Sequence, residues 1–384
     1  MPNSAVVSGL RALKLIKQIT KKMVLFSVRT FFYCLDSICY HTIYQFNDKV
    51  QVISTEKQAA NDAYDTLAIF AIYQPKGLSA LVKRSINYLS AHKIKIMLVA
   101  PHPLSPLDIA FLEQHYCIIL TRENFGRDFG SYKYGVLYLL DNISLLKSFE
   151  KILLVNDSII FPLKEQDTTL AAILTYSEDV VGLAEGYVDH WHIGSYFILF
   201  KKNFFLDPLL QNFWKKYKPY SSRFYCINQG EIILSQTILN SVHPHKRMRL
   251  VYENRKLLQA IEKSITTNKV GLLRFTQLIN DNLLTNEKDK VNRYLNVKQL
   301  SHSMENLSLV HYFSLILIEY LDCFFVKRDL CFREIFTISH LLYYINSINK
   351  NEDFIEQISL DLKSKEKLSS RPFFNKMLTH MAII

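Results

Sequence analysis

The chain has 384 residues, 49% of them hydrophobic and 21% charged, which excludes a disordered polypeptide and leaves room for a sizeable buried core. Lys and Arg outnumber Asp and Glu by 46 to 35, and the net charge of +11 favours anionic partners. Ten glycines and ten prolines are few for this length, so long flexible linkers are excluded. The six cysteines, at 34, 39, 117, 226, 323 and 331, have no Cys-x-x-Cys spacing. They read as reduced, buried thiols of a cytosolic protein, with no zinc site among them.

Residues 8 to about 46 have the pattern of a basic amphipathic helix. Arg11, Lys14, Lys17, Lys21 and Lys22 recur at helical spacing, while Leu10, Leu13, Ile16, Ile19 and Met23 mark another face. Seven Lys and Arg against two Asp give the first 50 residues a net +5, almost half of the whole. That asymmetry points to an anionic membrane surface and away from a nucleic-acid groove, which draws its basic residues from the core domain. Met23 to Phe46 stays apolar, but Arg29 and Asp36 interrupt it. The expectation is a helix lying on a membrane or packed on the main domain, rather than a spanning segment or a cleaved signal.

From residue 66 onward strands and helices alternate. Leu67–Tyr73 reads as a buried strand broken by Gln74-Pro75-Lys76-Gly77, and Leu78–Ser90 as a helix. Lys93–Ala100 is a second strand, stopped by Pro101 and Pro103; Ser105 then caps a helix with Pro106 at its first position. Cys117–Leu120 and Lys151–Val155 are further strands, on either side of a helix over Tyr132–Leu140. Val180–Leu183 and Ser195–Phe200 read as strands, with a polar, aromatic loop from Glu185 to His192 between them. Asn203–Tyr217 and Asn228–Leu239 read as helices. Beyond about 250 the chain reads as mostly helical, with a buried helix over the apolar run Leu307–Val326. Strands spaced by helices predict an α/β fold with a mostly parallel sheet.

Two segments carry chemistry. Glu123-Asn124-Phe125-Gly126-Arg127-Asp128-Phe129-Gly130-Ser131-Tyr132 holds two of the ten glycines within five residues. Gly126 and Gly130 permit positive φ or a close approach to a ligand. Arg127 can fork two hydrogen bonds onto a phosphate, and Asp128 can orient a sugar hydroxyl or that same Arg. About 25 residues later, Leu153-Leu154-Val155-Asn156-Asp157-Ser158 sets an Asp at the end of an apolar strand, where α/β sheets bind ligands. Asp157 stands alone between Asn156 and Ser158, a weak set for a hard cation.

These blocks, with His192-Ile193-Gly194-Ser195-Tyr196-Phe197, Phe213-Trp214 and Gly230-Glu231-Ile232-Ile233-Leu234-Ser235-Gln236, resemble the rhamnan synthesis F family of polysaccharide glycosyltransferases. The likeness covers roughly residues 65–245. It implies a GT-A-like (Rossmann-like) sheet flanked by helices, and transfer of a hexose, often rhamnose, from a nucleotide-sugar donor onto a growing glycan of a lipopolysaccharide or capsule. The family's glycine block often carries Tyr where Arg127 stands.

On that likeness the donor's diphosphate lies near Asp157 and the glycine loop, with Tyr73, Asn124, Gly126, Arg127, Asp128, Gly130, Ser131, Asn156 and Ser158 as donor-binding residues. Asp189 and Glu231 compete as the catalytic base, beside Asp157. A Mg²⁺ or Mn²⁺ ion would rest on Asp157, with His243 or His245 completing its shell. The expected division is a membrane-associating segment over 1–60, a transferase domain over 61–250 and a helical region over 251–384. The expected partners are a nucleotide sugar, a glycan or lipid-linked acceptor and an anionic membrane, with no nucleic acid, on the cytoplasmic face of the cell membrane. A non-catalytic, nucleotide-binding accessory protein of polysaccharide assembly is the alternative.

Overall fold

The computed structural model describes residues 4–44, 50–54, 64–188, 190–241, 248–257, 259–260, 309–332, 336–364, 370–372, 375 and 378–379. Nine strands form one sheet, in the order β1 (Gln51–Ser54), β4 (Ile118–Thr121), β3 (Ile94–Ala100), β2 (Thr66–Ala71), β5 (Lys151–Asn156), β9 (Phe197–Lys201), β7 (Val180–Val188), β10 (Met248–Tyr252), with β8 (His190–Ile193) paired to β7. The central block β4-β3-β2-β5 is parallel throughout. β9 runs against both β5 and β7, and β10 runs with β7. The sheet is therefore mixed, with six of its strands running one way, and the expected mostly parallel sheet flanked by helices is present.

Every residue of β2 and β3 is buried, including the nominally polar Thr66 and Lys95, because helices cover both faces. On one face Ala68 and Phe70 join a core with α2 (Ala80–Ala91) and with residues from Phe313 to Leu362. On the other, Leu67 and Ile69 pack with α4 (Arg127–Asp141), α5 (Pro208–Lys216) and α6 (Ile233–Ser241). Ser79 and Ser105 cap α2 and α3 (Pro106–Gln114) with their side chains, and Pro106 opens α3 as its spacing predicts.

Several local expectations are corrected. The residues read as a loop over Glu185–His192 form a hairpin, with β7 running to Val188 and β8 returning antiparallel. Strand length there exceeds the apolar run because the exposed ends pair with each other. The helix expected over 203–217 breaks where Asp207 caps a new start at Pro208. The helix expected over 228–239 starts as a π-helix, Cys226–Ile232. The described part of the apolar run 307–326 is mostly buried but not one helix: α7 (Ser314–Tyr320) ends at Leu321, and β11 (Val326–Lys327) follows, pairing antiparallel with β6 (Ile159–Ile160). Two further helices, α8 (Ile338–Ile348) and α9 (Glu352–Lys363), cover that face. The four cysteines from 117 onward are buried as expected, but Cys34 is exposed.

The N-terminal helix α1 (Ser4–Cys39) docks by one side of its second half. Asp36 accepts from the Ser222 backbone N–H at 2.7 Å, Ser37 accepts from the Tyr220 hydroxyl at 2.9 Å, and Arg29 lies over Phe224. Val24, Phe31, Leu35 and Ile38 are exposed, and helical spacing sets them on the side opposite Asp36. Met23–Thr42 is long and apolar enough to cross a membrane, and none of that stretch is buried. The basic side chains from Arg11 to Lys17, and those of Lys21 and Lys22, lie outside the described residues.

Candidate functional site

The carboxyl ends of β2 and β5 lie side by side, with Ala71 opposite Asn156. The chain leaving β2 carries Tyr73 and Gln74, and the chain leaving β5 carries Asp157 and Ser158. Asp157 Oδ2 accepts from the Tyr73 backbone N–H at 3.2 Å and from the Gln74 amide at 2.6 Å. The Gln74 backbone N–H donates to His102 Nε2 at 2.8 Å, and His102 Nδ1 lies 2.8 Å from the Pro103 carbonyl. With Nε2 accepting, Nδ1 is the ring nitrogen left to donate to that carbonyl. Tyr73 stays half-exposed at the mouth of this corner.

Asn156 joins the two motifs. Its Nδ2 donates to Asp128 Oδ2 at 2.8 Å, while its Oδ1 accepts from the backbone N–H and hydroxyl of Ser158. Asp128 Oδ1 accepts from the Phe129 backbone N–H, so this carboxylate sits on the N-terminus of α4. Burial pushes the Asp128 carboxyl up, and the Glu231 carboxylate adds to the rise; Arg127 and Lys327 oppose it.

The glycine loop is held by a residue that the sequence reading missed. Buried Arg122 spreads its guanidinium over the Glu123, Phe125 and Arg127 carbonyls and the Ser131 hydroxyl. Ser131 is fully buried against it, and so braces the loop rather than lining the groove. Gly126 has φ +72°, and a Cβ there would lie 2.3 Å from Pro219. Gly130 is small for a different reason: a Cβ would lie 2.6 Å from the Phe125 carbonyl and 2.7 Å from the Arg122 guanidinium. Its close approach is to this brace, not to a ligand. Arg127, itself at φ +51°, donates from Nε to the Ser221 carbonyl at 2.6 Å. Asn124 is exposed beside the loop. The signal for Arg122 was available, since an Arg follows directly on an apolar strand.

Glu231 lies on the π-helix, a feature often found at functional sites. Its Oε1 accepts from the Ser195 hydroxyl at 2.6 Å, and its Oε2 is 3.7 Å from His192 Nε2. Ser195 in turn offers its carbonyl to buried Tyr132 at 2.9 Å. Trp214 stacks on Phe129 at 6.0 Å between ring centres. All five sequence blocks thus meet around the start of α4. Asp189, His243 and His245 lie outside the described residues.

The far side of the corner comes from the C-terminal region. β11 lays Lys327 against Ile159 of β6, and the backbone N–H of Arg328, the next residue, donates to the Ser158 carbonyl at 2.9 Å. The Lys327 ammonium donates to the Ser158 hydroxyl at 2.8 Å and lies 4.4 Å from the centre of the Tyr196 ring. Arg328, 4% exposed, reaches Asp157 Oδ2 at 3.7 Å and Asp361 Oδ2 at 3.5 Å. No composition or spacing marked this pair. The donor set does not suit a tightly held cation. Asp157 Oδ2 is already engaged by two N–H groups and faced by a guanidinium, Asn156 has spent its amide, and among the described residues no three His, Cys, Asp or Glu cluster as a metal shell.

Residues 96–256 match the family model described as rhamnan synthesis protein F, the family that the sequence blocks resemble. An uncharacterized protein of Sinorhizobium fredii (strain NBRC 101917 / NGR234), y4gN, is 26% identical over 174 residues, 44% of this chain and 45% of that protein. The match therefore spans less than half the length of that relative. Among solved structures, core-mannan synthase A from Aspergillus fumigatus, in a Mn/GDP form, has TM-score 0.32 and 8% identity over 53% of this chain and 75% of that one. The mannosyltransferase PcManGT from Pyrobaculum calidifontis, in complex with GDP-Man and Mn²⁺, has TM-score 0.27 and 10% identity over 90% and 99%. Scores this low carry no weight by themselves. The family match covers the glycine loop, the Asn156-Asp157-Ser158 tip and Glu231.

Proposed function

We propose that the chain is a hexosyltransferase that moves a sugar, with rhamnose as first choice, from a nucleotide-sugar donor onto a growing surface polysaccharide or lipid-linked glycan. The observation that carries this reading is the meeting of Asp128, Asn156, Asp157, Ser158 and Glu231 at the carboxyl ends of β2 and β5. In this arrangement Tyr73 faces the donor base and the corner around Asp157 receives the diphosphate. The anomeric carbon–oxygen bond breaks with its electron pair passing to the diphosphate. The acceptor hydroxyl oxygen forms the new bond, and its proton passes to Glu231, which Ser195 orients. A divalent ion at Asp157 would offset the negative charge of the leaving group, but the side chains present do not form its shell.

The membrane side of the reading is supported by α1, whose exposed apolar residues suit the cytoplasmic face of an anionic bilayer carrying a lipid-linked acceptor. Residues 1–60 then serve as the docking segment and 61–250 as the transferase core. The region from 251 onward works as part of that core, since its described residues pack against β2 and α2.

Purified protein incubated with a panel of nucleotide sugars and a lipid-linked acceptor tests the reading. Transfer is expected with at least one donor, and Glu231→Gln is expected to slow it about 10²–10⁴-fold. Transfer at the wild-type rate by both Glu231→Gln and Asp128→Ala would remove the site assignment. Tight nucleotide binding with no transfer would favour the accessory-protein alternative.

A further inference from the structure

We infer that Lys327 and Arg328, delivered by β11, form the anion subsite that takes up the donor's diphosphate charge, in the role a bound divalent cation would otherwise fill. The inference rests on the nucleotide-sugar reading above and names the groups that handle its leaving group.

Three observations carry it. First, the three sources of positive charge on the glycine-loop side are committed. The N-terminus of α4 already holds the Asp128 carboxylate, the Arg122 guanidinium is spread over the loop's carbonyls, and Arg127 is tied through Nε to Ser221. Second, Lys327 is a half-buried ammonium whose polar contact is the neutral Ser158 hydroxyl. Among the described residues it makes no ion pair within 4.0 Å, although Asp329, Glu231 and Asp128 act on it from farther off. Third, Arg328 is buried yet loosely held. Its contacts with Ser79, Asp157 and Asp361 are 3.5, 3.7 and 3.5 Å, and its Nε has no hydrogen-bond partner. Charge-assisted bonds normally close to about 2.7–2.9 Å. A buried guanidinium with slack contacts can turn its fork toward a phosphate at little cost.

Chemically the pair supplies what the transfer requires. As the anomeric carbon–oxygen bond breaks, the departing oxygen keeps the bonding electrons and the diphosphate gains a negative charge. An ammonium and a guanidinium fixed beside Ser158 stabilise that charge through a preorganised field, without a metal shell to assemble. Lys327 approaches from the Tyr196 side and Arg328 from the Asp157 side, so the two bracket the tip of the Asn156-Asp157-Ser158 segment.

The experiment is calorimetric titration of the full chain with UDP, GDP, dTDP and inorganic pyrophosphate, in EDTA and again with Mn²⁺ or Mg²⁺ added. Wild type is expected to bind at least one nucleoside diphosphate in EDTA. Lys327→Gln is expected to weaken that binding about tenfold or more, while Lys327→Arg keeps most of it and the matching nucleoside is unaffected. Arg328→Lys, checked by its melting curve, is expected to weaken binding as well. Wild-type affinity in both Lys327→Gln and folded Arg328→Lys would overturn the inference and leave the transferase reading standing. Binding that appears only after the divalent ion is added would do the same. No binding of any diphosphate in either condition would remove both.

Discussion

The two walls of the Asp157 corner are built in opposite ways. The wall from Arg122 to Tyr132 is braced from within: one guanidinium, two glycines and a buried serine hold a short local loop. The wall of Lys327 and Arg328 is the end of a two-residue strand, Val326–Lys327, and the residue after it, contributed from 169 residues away, and its charges are loosely held. The first wall spends its cation on its own carbonyls. The second leaves its cations for something else. A site that needs both a fixed floor and a responsive charge divides the two tasks between a local element and a distant one.

The sharpest way to break this contrast is at Arg122. Arg122→Met leaves the Glu123, Phe125 and Arg127 carbonyls without their shared donor; the buried orphan at Phe125 costs roughly 1–3 kcal/mol, and the two part-buried ones add to it. A loss of about 3 kcal/mol or more is expected by urea denaturation, together with loss of nucleotide binding. A change under about 0.5 kcal/mol would show that the loop holds its shape without the brace. Gly126→Ala comes next. It combines a left-handed backbone with a Cβ driven against Pro219, for an expected cost of roughly 2–4 kcal/mol. Equal stability of that variant and wild type would mean that the loop and Pro219 are free to part.

The second wall is expected to respond to pH instead. Burial pulls the Lys327 ammonium below the ordinary lysine range; Asp329, Glu231 and Asp128 oppose this, and Arg223 adds to it. Ser158, the Tyr196 ring and the neighbouring Arg328 complete its surroundings. A lysine with a lowered folded pKa gives up its proton in the native chain before the unfolded chain does. In that alkaline window the unfolded state binds more protons, so this group makes stability rise with pH. Diphosphate binding needs the proton and falls over the same window. Lys327→Arg is expected to move the fall in binding to higher pH, and a superimposable binding profile in the variant would separate Lys327 from the anion.

The contrast also explains what could be read from the sequence. The glycine pair, the Asn156-Asp157-Ser158 tip and the β2-to-β5 alternation are local signals, and each lies within a few residues of its physical cause. Their convergence was legible because strand ends and ligand sites coincide in parallel sheets. The role of Gly130 was misjudged, since a glycine signals close approach without naming the partner, here the Arg122 side chain. Lys327 and Arg328 carried no signal at all. They are two basic residues in a basic chain, and only the pairing of β11 with β6 and the Arg328 bond to the Ser158 carbonyl bring them to this corner. The π-helix under Glu231 was equally hidden, because its sequence pattern differs little from that of an ordinary helix turn.

The N-terminal helix offers the smallest and most local test. Asp36 bonds the Ser222 backbone N–H, one residue from the Ser221 carbonyl that holds Arg127, so α1 and the glycine loop share one support. Burial raises the Asp36 carboxyl, while the Ser222 bond and Arg127 lower it. A raised carboxyl contributes stability that is fully present below its unfolded pKa and is lost as pH rises through its folded value. Asp36→Asn keeps an acceptor and removes the charge, so it is expected to hold α1 at neutral pH at least as well as wild type. Asp36→Leu loses the hydrogen bond, worth about 1 kcal/mol, and is expected to speed proteolysis within α1. Because Asp36 touches the loop only through its neighbour, diphosphate affinity in Asp36→Leu is expected to stay within about twofold of wild type, far less than one lost charge-assisted bond. A larger drop would mean that α1 tightens the loop wall as well as resting on it, and would make membrane docking and donor binding parts of one equilibrium.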